Sequence, residues 1–439
     1  MDEPRRSAAD RTPLGSARDR LREAVAPVDR TETLPVSTAV GRPLADPVVA
    51  RRPVPHYDQV VRDGFALRAA DTTDASDAAA VTFAVAEALD APASPDADQG
   101  GTDTDQQRAD SDRPAAVRVH AGDELPGGAD AVVGREADSA AEDDLETVTE
   151  TDGELSVTRP VEPGSGVRPT GADVGADETV LPAGHQLTAS DPALCTAVGR
   201  TRVDVRQRPT VGIVPTGGGL VGGDPDPGEV VETDGTTVAE FVERWGGKVT
   251  YRDPVPTDRN ALRAAVERDL TKDLLVTVGG TGSGERDRIV DVVENLGDVL
   301  VDGVALEPGG TAALSVVRER PILSLPGDPV AAFVATTQLV GDAVTRLAGR
   351  DPPAPVTESA DLAAPLDGTA GVASVVPVAF EDTANGANAT DATERAVRPV
   401  ADEPLSTLSR ADGWVTVPSD RDTVLTGETV SVERWEAFV

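Results

Sequence analysis

The sequence predicts an α/β protein built on a parallel, doubly wound sheet and extended by β-rich modules. Between residues 210 and 347, short apolar segments typical of buried strands alternate with segments whose apolar residues recur at helical spacing. One such strand, residues 274–278, runs directly into residues 279–284, four of which are glycine. Alternating strands and helices favour a parallel sheet, and a glycine loop between strand and helix directs backbone N–H groups towards an anion.

The elements of this core follow one another in the order that such a sheet requires. Each predicted strand is followed by a turn and then by a segment of helical periodicity. Asp328 is a favourable N-cap and Pro329 fits the first turn of the last helix. The predicted strands are residues 210–214, 248–252, 274–278 and 321–325, and the predicted helices are residues 234–245, 259–270, 289–296 and 328–347.

The flanking segments predict one further helix, several strands and two inserts. A helix is expected over residues 14–25, and strands are expected over residues 372–380, 413–418 and 428–432. Residues 90–112 contain seven aspartates and no valine, leucine, isoleucine or aromatic residue. Such a segment buries too little apolar surface to offset the entropy of ordering, so we expect a disordered insert there and a second polar insert at residues 383–393.

The charge balance is strongly acidic. The chain of 439 residues carries 77 acidic and 40 basic residues, a formal net charge of −37 at pH 7, and only two of the basic residues are lysines. This composition resembles that of proteins from salt-accumulating archaea, in which molar salt screens the repulsion between surface carboxylates. A nucleic acid partner is not expected, because the sequence offers no basic stripe.

Several functional classes lack their motifs in this sequence. Its single cysteine, Cys195, excludes an internal disulfide and a thiolate metal cluster. Neither nucleotide-binding fingerprint fits the glycine loop, and no GxSxG motif supports a hydrolase. The three histidines lie far apart, which disfavours a histidine metal site. No apolar segment is long enough to span a membrane and no signal peptide is evident, so a cytoplasmic protein without membrane contact is expected.

Two segments of the core resemble the molybdopterin-binding fold. GGTGSGERD at residues 279–287 is similar to the GG(T/V)xxGxxD signature of that fold, and SLPGDPV at residues 324–330 is similar to its LPGxPxxA segment. The fold is shared by the MogA/MoaB adenylyltransferases and by the MoeA/gephyrin E-domain molybdenumtransferases.

Segments outside the core resemble the MoeA family in particular. PVPHYDQVVRDGFA at residues 53–66 is similar to the family's vPpfdnSaMDGYA, and AGDELPGGADAVVGRE at residues 121–136 is similar to tGaplPxGADAVVxxE. Residues 162–174 and 181–205 also resemble family segments. The resemblance covers nearly the whole chain outside the two inserts.

The resemblance implies four modules, a homodimer and a reaction. The reaction is insertion of molybdate into adenylylated molybdopterin with Mg²⁺, with other molybdenum cofactor biosynthesis proteins as further partners. The implied modules are a linker and dimerisation module over residues 1–52 and 161–207, an inserted β-rich module over residues 53–160 with a disordered insert at 90–114, the molybdopterin-binding α/β domain over residues 208–350, and a C-terminal β-barrel over residues 351–439.

The resemblance also implies the site residues. Asp63, Asp258 and Asp287 fall on acidic motif positions and are implied to be catalytic, while Asp63 and Glu136 are implied to bind the metal, since hard cations prefer oxygen ligands. Cofactor binding is implied for the strand-end loops and for one serine of the barrel. These residues are Thr216, Gly217, Gly279, Gly280, Thr281, Gly282, Ser283, Pro326, Gly327, Asp328 and Ser406.

The sequence departs from the family motifs at charged positions, and two alternatives follow. Gly218 and Gly219 stand where the family has Asp-Glu, and EPGGT at residues 307–311 stands where it has KPGKP, so Glu307 reverses a charge beside the expected anion. One alternative is therefore a catalytically degenerate paralogue that binds molybdopterin as a scaffold. The other is a MogA-type molybdopterin adenylyltransferase, because GGTGSGERD resembles the glycine loop of the MogA type more closely than that of the MoeA type.

Overall fold

The computed structural model describes residues 10–89, 113–134, 148–151, 153–284, 287–352, 354–381, 395–400 and 404–435. The two predicted inserts, at residues 90–112 and 383–393, lie outside this part of the chain, as does Glu136. Among the helices of the described part, none combines the length and the apolar character needed to cross a bilayer.

A six-stranded sheet forms the centre of the molecule. Its strands lie in the order Lys248–Tyr251, Thr210–Pro215, Leu274–Val278, Arg320–Leu325, Ala313–Val317 and Asp298–Asp302. The first four strands are parallel, which confirms the predicted doubly wound core.

Two antiparallel strands that the sequence analysis did not identify extend this sheet at one edge. The turn that returns the chain into Arg320–Leu325 consists of Arg318 and Glu319, both with positive φ (48° and 65°). Two consecutive residues in this conformation form the tight turn whose twist matches paired antiparallel strands. The core sheet is therefore mixed at its edge and parallel at its centre.

Helices cover both faces of the sheet, so the core has three layers. One face carries Leu14–Ala24, Asp234–Arg244 and Pro329–Ala335, the last continuing through a π-helical turn, Thr336–Val340, into Gly341–Leu347. The other face carries Arg259–Asp269 and Ile289–Glu294. The last of these helices ends two residues before the predicted boundary at Leu296.

The N-terminal helix, which the sequence analysis placed in the linker module, packs against the α/β core. Ala17 and Leu21 are buried in the same apolar cluster as the core strands, and Val25 and Val28 extend that contact beyond the helix end. The domain boundaries inferred from the sequence remain predictions, but this helix belongs physically to the core.

Residues 29–60 and 161–207 form three short antiparallel pairs and one helix. Most of these residues pack around one apolar cluster, but Val60 and Val167 pack in another cluster with residues of the sheet described next. The elements are Thr31–Pro35 with Arg202–Arg206, Val48–Val49 with Thr179–Leu181, Gln59–Val60 with Val167–Arg168, and the helix Asp191–Ala197. Between these two segments the chain forms a separate six-stranded sheet. Its order is Ala131–Gly134, Gly64–Leu67, Ala115–Val119, Val81–Ala86, Glu154–Val157 and Val148–Thr151.

A closed five-stranded barrel forms the C-terminal region, as predicted. Its strands, in order, are Ala373–Phe380, Ala396–Pro399, Thr357–Leu362, Thr429–Glu433 and Gly413–Val417, and the last pairs with the first. The helix Pro404–Arg410 lies within this region.

One strand joins the barrel to the core. Val304–Glu307 leaves the core between the two antiparallel edge strands and pairs with Ala373–Phe380 of the barrel. Thr12–Pro13 pairs with the other edge of that strand. Aromatic contacts reinforce the junction, because the Phe333 ring of the core packs edge-on against Trp414 and Trp435. The segment around residues 307–311 is thereby held between the two modules.

Candidate functional site

The carboxyl ends of three neighbouring parallel strands meet at one edge of the core sheet. The Gly279 N–H donates to the Leu325 carbonyl at 2.9 Å, and the Thr216 N–H donates to the Val278 carbonyl at 2.7 Å. The loops that follow these strands therefore begin in fixed register with one another. Ligands of doubly wound sheets bind at this edge, and the predicted cofactor-binding residues of the core lie on these loops.

The loops approach so closely that side chains are excluded at their contacts. Gly279 and Gly280 have positive φ (97° and 71°), which disfavours other residues there. A Cβ atom at Gly279 would overlap the Thr216 carbonyl oxygen, and a Cβ atom at Gly327 would lie 3.1 Å from the Gly279 Cα. The predicted glycines thus let the loops approach one another where a side chain would be obstructed.

Threonine hydroxyls hold the loops together. The Thr216 hydroxyl donates to the Gly279 carbonyl at 2.7 Å, and the Thr281 and Thr311 hydroxyls hydrogen-bond at 2.9 Å. Thr216 and Thr281 are buried. The structure therefore places both predicted threonines at the site, where they fix loop geometry.

Asp287 also acts on the glycine loop. Its Oδ2 atom accepts the Gly284 N–H at 3.0 Å, and a Cβ atom at Gly282 would lie 2.6 Å from the same oxygen. The carboxylate is thus folded back beneath the loop. Ser283 lies between these glycines and is exposed.

Two other predicted carboxylates cap helices. Asp258 Oδ1 accepts the N–H groups of Asn260 and Ala261, both at 3.0 Å. Asp328 Oδ1 accepts the Ala331 N–H at 2.9 Å. Both residues are exposed. Capping explains their position without requiring a ligand.

Asp234 is a site residue that the sequence analysis did not select. Burial, assisted by the nearby Glu232 and Asp328 carboxylates and opposed by a hydrogen bond from Thr233, raises the pKa of Asp234 to about 6. Burial also raises the pKa of Glu232, which accepts the Tyr251 hydroxyl. Its position in the sequence could have identified Asp234, because it begins the helix that follows the first core strand. A carboxyl titrating near neutrality can exchange a proton with a substrate.

A cavity of about 710 Å³ lies beside these loops, between the core and the barrel. Its wall includes Glu307, Asp328 and Thr407, and Ser406 lies on the same short helix as Thr407. Glu307 Oε2 accepts the Thr369 hydroxyl at 2.7 Å, so this carboxylate is oriented by the barrel. The cavity wall thus reaches the barrel helix that carries the predicted Ser406.

The remaining core residues of the prediction occupy the same edge. Gly217 donates its N–H to the Val255 carbonyl at 3.0 Å, and a Cβ atom there would lie 2.8 Å from Leu220 Cδ1. Pro326 is buried at the end of its strand. Pro326 follows its strand directly, and Gly217 follows its strand after Thr216.

Asp63 belongs to the inserted sheet, not to the strand-end loops. Its Oδ1 accepts the Ala121 N–H at 2.8 Å, and its Oδ2 lies 3.7 Å from His120 Nδ1. Nearby, Asp58 accepts the N–H and hydroxyl of Thr170, and these bonds lower its pKa. A second cavity, of about 660 Å³, lies in this region.

Comparison with protein families assigns most of the described chain. Residues 12–199 match the model of the MoeA N-terminal region (domain I and II), and residues 212–346 match the model of a probable molybdopterin binding domain. The second match contains the three strand ends and the glycine loop.

Individual proteins of known sequence and structure agree with these matches. A molybdopterin molybdenumtransferase of Bacillus subtilis is 30% identical over 308 residues, which cover 69% of this chain and 67% of that protein. Molybdopterin molybdenumtransferase 2 of Mycobacterium tuberculosis is 28% identical over 415 residues, covering 92% and 95%. The crystal structure of a molybdopterin biosynthesis MoeA protein from Pyrococcus horikoshii superposes with a TM-score of 0.77 at 26% identity, covering 97% and 99%.

Proposed function

The chain belongs to the MoeA family of molybdopterin molybdenumtransferases, enzymes of molybdenum cofactor biosynthesis, and we propose that its strand-end loops hold the substrate of that reaction. Molybdopterin and molybdate fit as substrates. Specifically, the glycine loop, residues 279–284, binds the phosphate of adenylylated molybdopterin. The cavity beside Glu307 binds the rest of the substrate molecule.

One observation carries this proposal. Gly279, Gly280 and Gly327 bring three loops together where a Cβ atom would be obstructed, and Gly280 and Gly327 are at least partly exposed there. Peptide N–H groups at a strand end are suited to an anionic group, because they donate hydrogen bonds without adding bulk. The molybdopterin phosphate supplies an anion of suitable size.

The carboxylates around the site have different proposed roles. Asp287 is proposed as a positioning residue, since its contact is with the Gly284 N–H of the loop. Asp234 is proposed as a proton carrier beside the substrate, because its raised pKa, about 6, lets it change charge near neutral pH. Asp258 remains a proposed catalytic residue on the resemblance alone.

The described residues of a single chain contain no cluster of three side-chain ligands for Mg²⁺. Among them, no group of three or more histidine, cysteine, aspartate or glutamate side chains converges in a way that could hold a cation. Asp63 has one oxygen bound to a backbone N–H and the other near His120. The Mg²⁺ roles of Asp63 and Glu136 therefore stay predictions, and no step of the reaction is assigned to the metal.

A homodimer is proposed because Asp63 lies on a different module from the strand ends. Its side chain is 56% exposed, which leaves the Asp63 carboxylate accessible to another chain. We propose that Asp63 of one chain faces the glycine loop of the partner subunit. Sedimentation at molar KCl should show a dimer, and a monomer alone would contradict this arrangement.

The cellular setting is also a proposal. A cytoplasm rich in salt is inferred from the net charge of −37. The melting temperature should fall when KCl is lowered from molar concentration to about 0.1 M, because the Debye length then increases to about 10 Å. An unchanged melting temperature would contradict the halophilic interpretation.

The test of function is reconstitution. The protein is incubated with adenylylated molybdopterin and molybdate, and the product is assayed by its ability to activate a molybdenum-free apoenzyme. Gly280→Val is the matched variant, because a β-branched side chain there enters the Thr216 contact. Activation by the parent and its loss in Gly280→Val are expected. Equal activation by both proteins would remove the glycine loop from the site.

The scaffold alternative has one specific observation in its favour. Glu307 places a carboxylate in the wall of the cavity, oriented by Thr369, where an anionic substrate must bind. A parent protein that binds molybdopterin but never yields activated apoenzyme would select the scaffold function. The reconstitution assay, run together with a binding titration, distinguishes the two.

A further inference from the structure

The proposed site is surrounded by negative charge. Asp234, Asp328 and Glu307 all lie at the strand ends or in the adjacent cavity wall. A substrate that carries phosphate or molybdate adds further negative charge, which carboxylates alone would repel. A cation near the loops would offset this repulsion, so the positions of nearby arginines are informative.

Arg11 lies against the turn that follows Val304–Glu307. It immediately precedes Thr12–Pro13, which pairs in parallel with that strand, so its side chain runs alongside residues 303–310. The Arg11 Cγ lies 3.4 Å from the position of a Cβ atom at Gly303, and its Cζ lies 2.6 Å from the position of a Cβ atom at Gly310. The guanidinium thus occupies the space that a side chain at residue 310 would need.

This guanidinium is not neutralised by the described part of the chain. Arg11 is half-buried, and neither a hydrogen bond nor an ion pair joins its side chain to another residue in the described ranges. Arginine is nearly always charged and carries five donors, so a half-buried arginine without acceptors is suited to an incoming anion.

The turn connects Arg11 to the glycine loop. Gly310 contacts the guanidinium, and the next residue, Thr311, hydrogen-bonds to Thr281 of the loop at 2.9 Å. Arg11 and the loop are therefore linked through the turn, and the pairing of Thr12–Pro13 with the strand holds Arg11 beside it.

We propose that Arg11 binds a tetrahedral oxyanion of the substrate, either molybdate or the phosphate of molybdopterin. The proposal rests on the function proposed above, and it assigns to the N-terminal segment the positive charge that Glu307 and Gly310 do not supply. Gly310 then has a defined role, because its lack of a side chain leaves room for the guanidinium.

The test compares Arg11→Ala with Arg263→Ala in two titrations. Arg263 is a matched control, since its side chain is 56% exposed and pairs with Glu267 on a helix of the core, so the net charge changes equally. Molybdate binding is measured by equilibrium dialysis and molybdopterin binding by pterin fluorescence, both in high salt. Arg11→Lys and the double variant Arg11→Ala/Gly310→Lys are included, and melting temperatures report on folding.

Arg11→Ala should weaken one of the two ligands by about tenfold or more, the effect of losing a charge-assisted hydrogen bond. Weaker molybdate binding identifies molybdate as the oxyanion, and weaker molybdopterin binding identifies the phosphate. Arg11→Lys should show a smaller loss, and Arg11→Ala/Gly310→Lys should recover part of the affinity from the other side of the turn. Arg263→Ala should match the parent.

Unchanged affinity for both ligands in Arg11→Ala, with a parent that binds molybdopterin, would overturn this proposal and leave the proposed function intact. A parent that binds neither ligand would overturn the proposed function and this inference with it. If Arg11→Ala melts well below the parent, Arg11→Lys and Arg11→Ala/Gly310→Lys decide the question. If both of these variants melt like the parent and neither retains or recovers affinity, the role of Arg11 is also overturned.

Discussion

The glycine loop at residues 279–284 and the turn at residues 307–311 lie side by side, joined by the hydrogen bond between Thr281 and Thr311, yet they are built differently. The loop is fixed by backbone conformations that Gly279 and Gly280 adopt and by contacts that exclude side chains. The turn instead presents side chains. Glu307 contributes a carboxylate, and the guanidinium of Arg11, from the N-terminal segment, packs against Gly310.

The two segments depend on the local sequence to different degrees. A backbone cradle depends on φ angles at particular positions, and another segment cannot supply them. A positive charge depends only on where the charged atoms lie, so an N-terminal arginine can provide it across the turn.

Gly279→Ala should have the largest effect. Its Cβ atom would overlap the Thr216 carbonyl oxygen, and alanine at a φ of 97° is strained, so we expect a loss of about 1–3 kcal/mol in the free energy of unfolding and no measurable molybdopterin binding. Urea unfolding and pterin fluorescence measure the two effects. Gly222→Ala is the control, because a Cβ atom there meets nothing within 4 Å. If Gly279→Ala still binds molybdopterin, binding does not depend on the backbone conformation at this position.

Gly310→Ala should have the next largest effect, and it should act through Arg11. The new methyl group would collide with the guanidinium, whose displacement should reduce affinity by about tenfold. The measurement is a double-mutant cycle in which Gly310→Ala is also made in the Arg11→Ala background, where it should cost little more. An equal loss in both backgrounds would show that the turn acts by its own backbone.

Asp287 variants distinguish a support of the loop from a ligand of the substrate. Asp287→Ala removes the acceptor of the Gly284 N–H and should weaken molybdopterin binding by about fivefold, equivalent to about 1 kcal/mol. Asp287→Asn keeps an oxygen that can accept the same N–H, so it should bind nearly as well as the parent. A loss in Asp287→Asn as large as in Asp287→Ala would instead show that the charge itself contacts the substrate.

Asp234 should give a smaller effect, visible as a pH dependence of stability. Its pKa is raised to about 6 in the folded protein, mainly by burial, from an ordinary value of 3.8. The folded state therefore holds the proton more tightly than the unfolded chain, and the contribution of this group to stability decreases as the pH rises from about 4 through about 6.

Asp234→Asn should accordingly raise the melting temperature at about pH 7.5, and the gain should shrink towards zero at about pH 4. Differential scanning calorimetry across this range measures it. Asp19→Asn, which replaces a carboxylate that is 72% exposed, should show no such trend. A gain that is independent of pH would indicate that packing, not ionisation, separates Asp234→Asn from the parent.

Much of the fold could be predicted because its signals are local. The strand Leu274–Val278, the following glycines and the cap at Asp328 are each determined by neighbours in the sequence, and the structure places them as expected. The resemblance of DGFA and GADAVV segments to family motifs added the modules that periodicity could not provide.

The missed features arise from contacts between distant residues. Nothing near Arg11 in the sequence indicates that its guanidinium lies against Gly310, because the contact follows from the pairing of Thr12–Pro13 with Val304–Glu307. The raised pKa of Asp234 likewise depends on burial and on Asp328. Charges and pKa values at the site are properties of the assembled fold, whereas its glycines are visible in the sequence.

The most direct test of the account is hydrogen–deuterium exchange of the parent protein with and without molybdopterin, in high salt. The account predicts that peptides containing residues 279–284 and 326–328 gain protection, because their backbone N–H groups lie at the proposed anion site. Peptides lining the second cavity, around residues 52–59, serve as the internal comparison. Protection confined to residues 52–59, with the glycine loop unchanged, would contradict the claim that the strand ends of the core bind molybdopterin.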